Sequence, residues 1–171
     1  AVIRRGPERL DLLVLDADTA TVAASLQRYV FRSKVSIDAR SDLQVAGRFA
    51  PPSSAQGALS AQSGDILELD MGTATHPRTL ALQPHAARAT LRPELHESWR
   101  AYDLGHGLPR LDESQREQWT PQQLSLDRLH AFSVAKGCYP GQEIVARTHF
   151  LGQVKRGLVA LEGAGGSPGD E

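Results

Sequence analysis

No part of this sequence stays apolar for more than a handful of residues. The stretches 12–15 and 158–161 are among the longest such runs, whereas a membrane-spanning helix needs roughly twenty apolar residues in a row. The chain must therefore hide its apolar side chains by packing short elements against one another. At 171 residues it is long enough to bury a core.

The apolar periodicity predicts which elements those are. In "RLDLLVLDADTATVAASLQRYVFRSKVSIDAR", residues 10–15 suit a strand, and residues 34–38 alternate Val35 and Ile37 with polar neighbours as a second strand does. Between them, Asp18 or Thr19 can cap a helix that sets Val22, Leu26, Tyr29 and Val30 on one side. "RFAPPSSAQGALSAQSGD" is rich in turn residues and is expected to be loop with one short helix, while "DILELDM" and "RTLALQP" read as strands. In "RPELHESWRAYDLGHGLP", Pro93 fits a first helical turn, Glu94 and Glu97 favour its positive end, and Gly105 can close the helix. "LDESQREQWTPQQLSLDRLHAF" reads as a polar connection. A short helix over about 141–148, a strand over 154–161 and an unpacked tail "GAGGSPGDE" complete the α+β reading: a mixed sheet with helices.

Charge narrows the partners. Nineteen Lys and Arg against twenty Asp and Glu leave a net charge of -1, so no basic field directs the chain to nucleic acid. One cysteine excludes an internal disulfide framework and makes the cytoplasm the default expectation. No membrane partner is expected. The opening at Ala1 lacks the charged-then-apolar order of a signal peptide and reads as the start of a cut piece.

Chemistry concentrates around that cysteine, in "SVAKGCYPGQEIVARTHFLGQVKRGLVAL". A thiolate is stabilised beside a cation or at a helix N-terminus; Lys136 is two residues away, and a helix starting near Pro140 would leave Cys138 just ahead of its positive end. Gly137 and Gly141 let the backbone turn tightly. The competing reading is that Cys138 is a small buried hydrophobe. Arg147 shares the short helix with Glu143 at i,i+4, a pairing that can simply steady the helix, and with Lys155 and Arg156 it can meet an anionic group or form a solvated rim. Trp99 offers a face for stacking a heteroaromatic ring, although Leu95, Trp99 and Tyr102 at helical spacing also describe a core stripe. The six histidines include no i,i+4 pair, so no metal site is expected. "GAGGSPG" lacks the following helix that a dinucleotide loop requires.

Taken together, "KGCYPGQEIVAR" resembles the signature of the YgfZ-type folate-binding proteins, iron-sulfur cluster assembly factors related to the aminomethyltransferase of the glycine cleavage system. "TPQQLSLDRLHAFSVAKGCY", "WRAYDLGHGLP" and "LQRYVFRSKVSI" resemble other family stretches, so the resemblance spans about residues 9–161. It implies a body similar to the folate-binding core of the T-protein superfamily, followed by the start of a β-barrel: residues 1–152 as an incomplete folate-binding body, and 153–171 as a first barrel strand plus tail. It further implies that Trp99 contacts folate and that activity depends on Cys138. Lys136, Gly137, Tyr139, Gly141, Gln142 and Glu143 match the rest of the signature as scaffold, while Pro140 stands where relatives often carry Thr or Ile.

With the family in view, a pterin ring can stack on an indole while its glutamate tail reaches a basic rim such as Arg147. The expected function is thus a tetrahydrofolate- or related folate-binding accessory protein that supports iron-sulfur cluster assembly or repair, and through it cluster-dependent enzymes such as those that modify tRNA. Its expected partners are folate and the assembly machinery or its clients. Three alternatives compete: a folate-dependent aminomethyltransferase; a thiol hydrolase with Cys138 as nucleophile and His130 or His149 as base; and a purely structural piece.

Overall fold

A computed structural model of the chain describes residues 1–86, 92–152, 154 and 156–159. It is an α+β structure divided into two compact units, Ala1–Leu91 and Arg92–Glu171.

In the first unit, β1 (Val2–Arg4) and β2 (Leu10–Leu12) form an antiparallel hairpin with Ile3 opposite Asp11. Side chains alternate across a strand, and Ile3 takes the buried side while Val2, Leu10 and Leu12 remain exposed. Helix α1 (Thr19–Gln27) begins as the sequence predicts: Asp18 has extended backbone, and its carboxylate accepts from Thr21 N and Thr21 Oγ1, both at 2.7 Å. Those two bonds, the side-chain one first, hold the Asp18 carboxyl below its ordinary value.

The remaining strands are β3 (Leu43–Arg48), β4 (Ala61–Ser63), β5 (Ile66–Asp70) and β6 (Thr79–Pro84), arranged β3-β6-β5-β4 with every pairing antiparallel. Strands β4 and β5 meet through Gly64 and Asp65, where Gly64 has φ +56°, the positive φ that a tight hairpin turn asks of its first residue. Leu67, Thr79 and Ala81 are buried in this sheet. Glu68 is buried too, at 8% exposure, and its carboxylate is matched by Arg48 at 2.5 Å and by Ser53 N and Oγ at 2.8 and 3.1 Å. The Arg48 hydrogen bond, followed by those from Ser53, lowers its pKa, because each favours the charged form.

Four expectations need correction here. The sheet is antiparallel rather than mixed, since short turns and the 71–78 loop join neighbouring strands and no crossover places two in parallel. Residues 34–38 form no strand despite their alternation, because they pair with no other strand. The turn-rich segment before β5 contains no helix; it supplies a Gln56–Leu59 bridge and β4 instead. Strand β3, assigned to no element from the sequence, is fully laddered to β6.

The second unit contains α2 (Pro93–Gly105), 3₁₀ turns at Glu113–Gln115 and Leu126–Leu129, and α3 (Gln142–Phe150). Pro93 opens α2 as expected, with Glu94 in its first turn. The helix ends at Gly105, as expected, and the chain turns away two residues later: Gly107 adopts φ +70°, and Gly107 N and Leu108 N return to Leu104 O and Asp103 O at 2.8 and 2.9 Å. A left-handed residue just past a helix satisfies its last carbonyls in this way. Asp103 is buried and paired with Arg110 at 3.0 Å.

No sheet closes into a barrel among the described residues, and the expected strand over 154–161 is absent from its described members, residue 154 and residues 156–159. The rest of that stretch and the tail 163–171 lie outside the described residues, as does residue 153, where the second domain was expected to start.

Candidate functional site

The signature segment is a loop feeding a helix. Gly141 has φ +78°, a conformation few side chains tolerate, and its carbonyl accepts from Ile144 N and Val145 N at 3.2 Å, which starts α3. This explains why glycine occupies the position immediately before the helix. Pro140 lies in the preceding turn rather than inside the helix. Three bonds hold the loop in shape. Tyr139 Oη donates to Ser133 O at 3.1 Å, Gln142 Nε2 donates to Lys136 O at 3.1 Å, and Gln142 N donates to Tyr139 O at 3.1 Å. Tyr139 and Gln142 therefore act as scaffold for the bend.

Cys138 sits on this bend and is exposed, as are Lys136, Gly137 and Glu143. The reading of Cys138 as a small buried hydrophobe thus fails. The thiol precedes the first residue of α3 by four positions, so it stands on a loop braced from both sides and not in the helix's first turn. No hydrogen bond joins it to His130 or His149 among the described residues.

Glu143 occupies the first turn of α3 and Arg147 the last, where each sign of charge complements the helix dipole. Both are exposed. Trp99 lies in α2 and is half-buried, one turn after the exposed Leu95 and one turn before the half-buried Tyr102. Tyr102 stacks on His106 with ring centroids 4.0 Å apart. The stripe is therefore partly open to solvent and not a closed core face.

The second unit also contains a recess of about 750 Å³. Gln122, Phe132, Val134, Thr148, His149 and Arg156 contribute to its wall. Neither Trp99, Cys138 nor Arg147 lines it. The structure thus gathers Lys136, Gly137, Cys138, Tyr139, Gly141, Gln142 and Glu143 into one loop-helix junction, but brings Trp99 and Arg147 to no common described cavity with the thiol.

Sequence reasoning missed Gln122. It is buried and donates from Nε2 to Val145 O at 2.8 Å, tying the segment before the second 3₁₀ turn to the one buried residue of α3. The only signal was the pair of glutamines after Pro121, which composition reads as connection. Among the described residues no three His, Cys, Asp or Glu side chains converge as metal ligands. No helix there is long and apolar enough to cross a membrane.

No family model matches the chain. Among curated proteins it is similar to the tRNA-modifying protein YgfZ of Serratia proteamaculans (strain 568), 32% identical over 163 residues that make up 84% of this chain and 49% of that protein. The tRNA-modifying protein YgfZ of Sodalis glossinidius (strain morsitans) is 31% identical over 166 residues, 85% of this chain and 50% of that protein. A shorter match, 43% identical over 67 residues, links it to the protein of the same name in Hamiltonella defensa subsp. Acyrthosiphon pisum (strain 5AT), covering 39% of this chain and 20% of that one. The chain spans about half the length of the first two relatives. Both the glycine-set loop that carries the thiol and the similarity extending over most of the chain lead to one family: this is a YgfZ-type chain.

Proposed function

We propose that this chain belongs to a folate-binding accessory protein of the cytoplasm that supports assembly or repair of iron-sulfur clusters, and through them cluster-dependent enzymes such as those that modify tRNA. The observation that carries this reading is the exposed Cys138, held on a bend between two glycines and braced by Tyr139 and Gln142. A thiol that serves a partner must be reachable, and one on a rigid loop loses little freedom when it engages. The relatives' name, tRNA-modifying protein, supports the client class. Tetrahydrofolate or a related folate is the proposed cofactor: its pterin would stack on the partly open face of Trp99, and its glutamate would meet a cation such as Arg147. The assembly machinery or its client proteins are the proposed partners.

The test uses the whole protein that contains this chain. Cells lacking it are supplied with the wild type or with Cys138→Ser, and a tRNA modification made by a cluster-dependent enzyme is measured by mass spectrometry. Loss of the modification with Cys138→Ser, while the purified variant still binds folate, is the expected result. Wild-type levels of modification with Cys138→Ser would remove the thiol from the function.

A further inference from the structure

Most described cations of the first unit are committed. Arg4 donates to Gly6 O at 3.2 Å, Arg5 and Arg9 meet Asp11, Arg40 meets Asp42, Arg48 meets Glu68, and Arg78 donates to Met71 O at 3.3 Å. Arg28, Arg32 and Lys34 differ: each is exposed and makes no hydrogen bond or ion pair through its side chain among the described residues. The sequence from 19 to 37 contains no acid that could neutralise them. Between these cations stand Tyr29, 54% exposed, and Phe31, 84% exposed. Helix α1 ends at Gln27, and residues 28–40 belong to no helix or strand, so the rings and cations alternate along an irregular surface segment.

A partner for this segment must offer flat rings and repeated negative charge together. Single-stranded nucleic acid does, since its unpaired bases stack on aromatic side chains while its phosphates meet cations. We infer that residues 28–34 bind single-stranded nucleic acid, with Tyr29 and Phe31 stacking bases and Arg28, Arg32 and Lys34 meeting phosphates. The chain's net charge of -1 supplies no general attraction, so the attraction is local to this segment. A duplex fits less well, because its bases are already stacked on one another. An anionic membrane also fits less well: an interfacial segment collects its apolar side chains on one face of a helix, and here the helix has ended before the rings begin. Arg28 follows α1 directly, where a cation also suits the helix dipole, so Arg32 and Lys34 are the cations that test the inference. The inference stands apart from folate and from Cys138.

Fluorescence anisotropy of labelled oligouridylate, and of its deoxy counterpart, is measured with the whole protein that contains this chain across a series of salt concentrations. Saturable binding of at least one is expected, and the tighter of the two assigns the source as RNA or DNA. The logarithm of affinity should fall with the logarithm of salt at a slope of about -2, the value for three phosphates neutralised on a single strand. Arg32→Gln combined with Lys34→Gln is expected to flatten that slope to about -0.7. Phe31→Ala is expected to weaken binding by about fivefold or more at unchanged slope, the worth of one stacked base. All three positions are exposed, so these variants leave the packing of the unit intact. No binding to either oligonucleotide, or affinity and slope left unchanged by both variants, overturns the inference. Binding to vesicles of phosphatidylcholine and phosphatidylserine without binding to either oligonucleotide overturns it too, and assigns the segment to a membrane surface.

Discussion

Replacing Arg110 with Met tests the packing that holds α2, and with it Trp99, in place. Arg110 and Asp103 are 10% and 4% exposed at their side chains and meet at 3.0 Å. Asp103 lies in the last turn of a helix, where the backbone carbonyls add negative potential and make loss of the neighbouring cation more costly. Arg110→Met keeps most of the side-chain volume and removes the guanidinium that meets that carboxylate. Breaking one side of a buried pair costs about 3–5 kcal/mol, and we take the lower end, about 3 kcal/mol, because the unit is small enough to relax around the site. With a slope of about 1–1.5 kcal/mol per molar urea for a unit of this size, the midpoint should fall by roughly 2–3 M. Fluorescence reports the correct unit, since both tryptophans, Trp99 and Trp119, belong to Arg92–Glu171. Adding Asp103→Leu should recover much of the loss, because the double change removes both charges. A midpoint shift below about 0.5 M in Arg110→Met, or a double variant no better than the single one, would refute the reasoning.

Two further changes probe the helix ends. Gly107→Ala forces a side chain into φ +70° and places its Cβ against the Arg128 guanidinium, whose Nη2 already donates to Gly107 O at 2.8 Å. The backbone strain alone should destabilise by about 1–2 kcal/mol in urea unfolding; an unchanged midpoint would show that the end of α2 rearranges freely. Asp18→Ala should speed hydrogen exchange at the first amides of α1. In the wild type the contribution of Asp18 is present above its unfolded value of 3.8 and is lost as pH falls through the lower folded value. Exchange at those amides that is unaffected by the substitution at neutral pH would argue against the cap.

Much of this fold was legible locally. Asp18, Pro93 and Gly141 mark helix starts through chemistry that acts within a few residues, and the alternation in β5 and β6 coincides with real strands. Failures came wherever a partner decides the outcome. Residues 34–38 alternate as well as β5 does yet have no ladder, whereas β3, containing Gln44 and Gly47, looks like a connection and becomes a strand because β6 lies beside it. The site divides in the same way. The loop from Lys136 to Glu143 is contiguous, so its motif could be read directly, while the wall joining Gln122, Phe132, His149 and Arg156 forms only when distant stretches pack together. The end of α2 at Gly105 was legible, whereas the left-handed residue that satisfies its last carbonyls, Gly107, follows from backbone sign, which composition does not reveal.

Calorimetric titration with 5-formyltetrahydrofolate, comparing the whole protein with its Trp99→Ala variant, tests the folate-binding claim most directly. The account predicts saturable binding by the wild type and a loss of about three- to tenfold in affinity when the indole is removed, the worth of one stacked aromatic pair. Absence of binding by the wild type, or equal affinity in the two proteins, would contradict it.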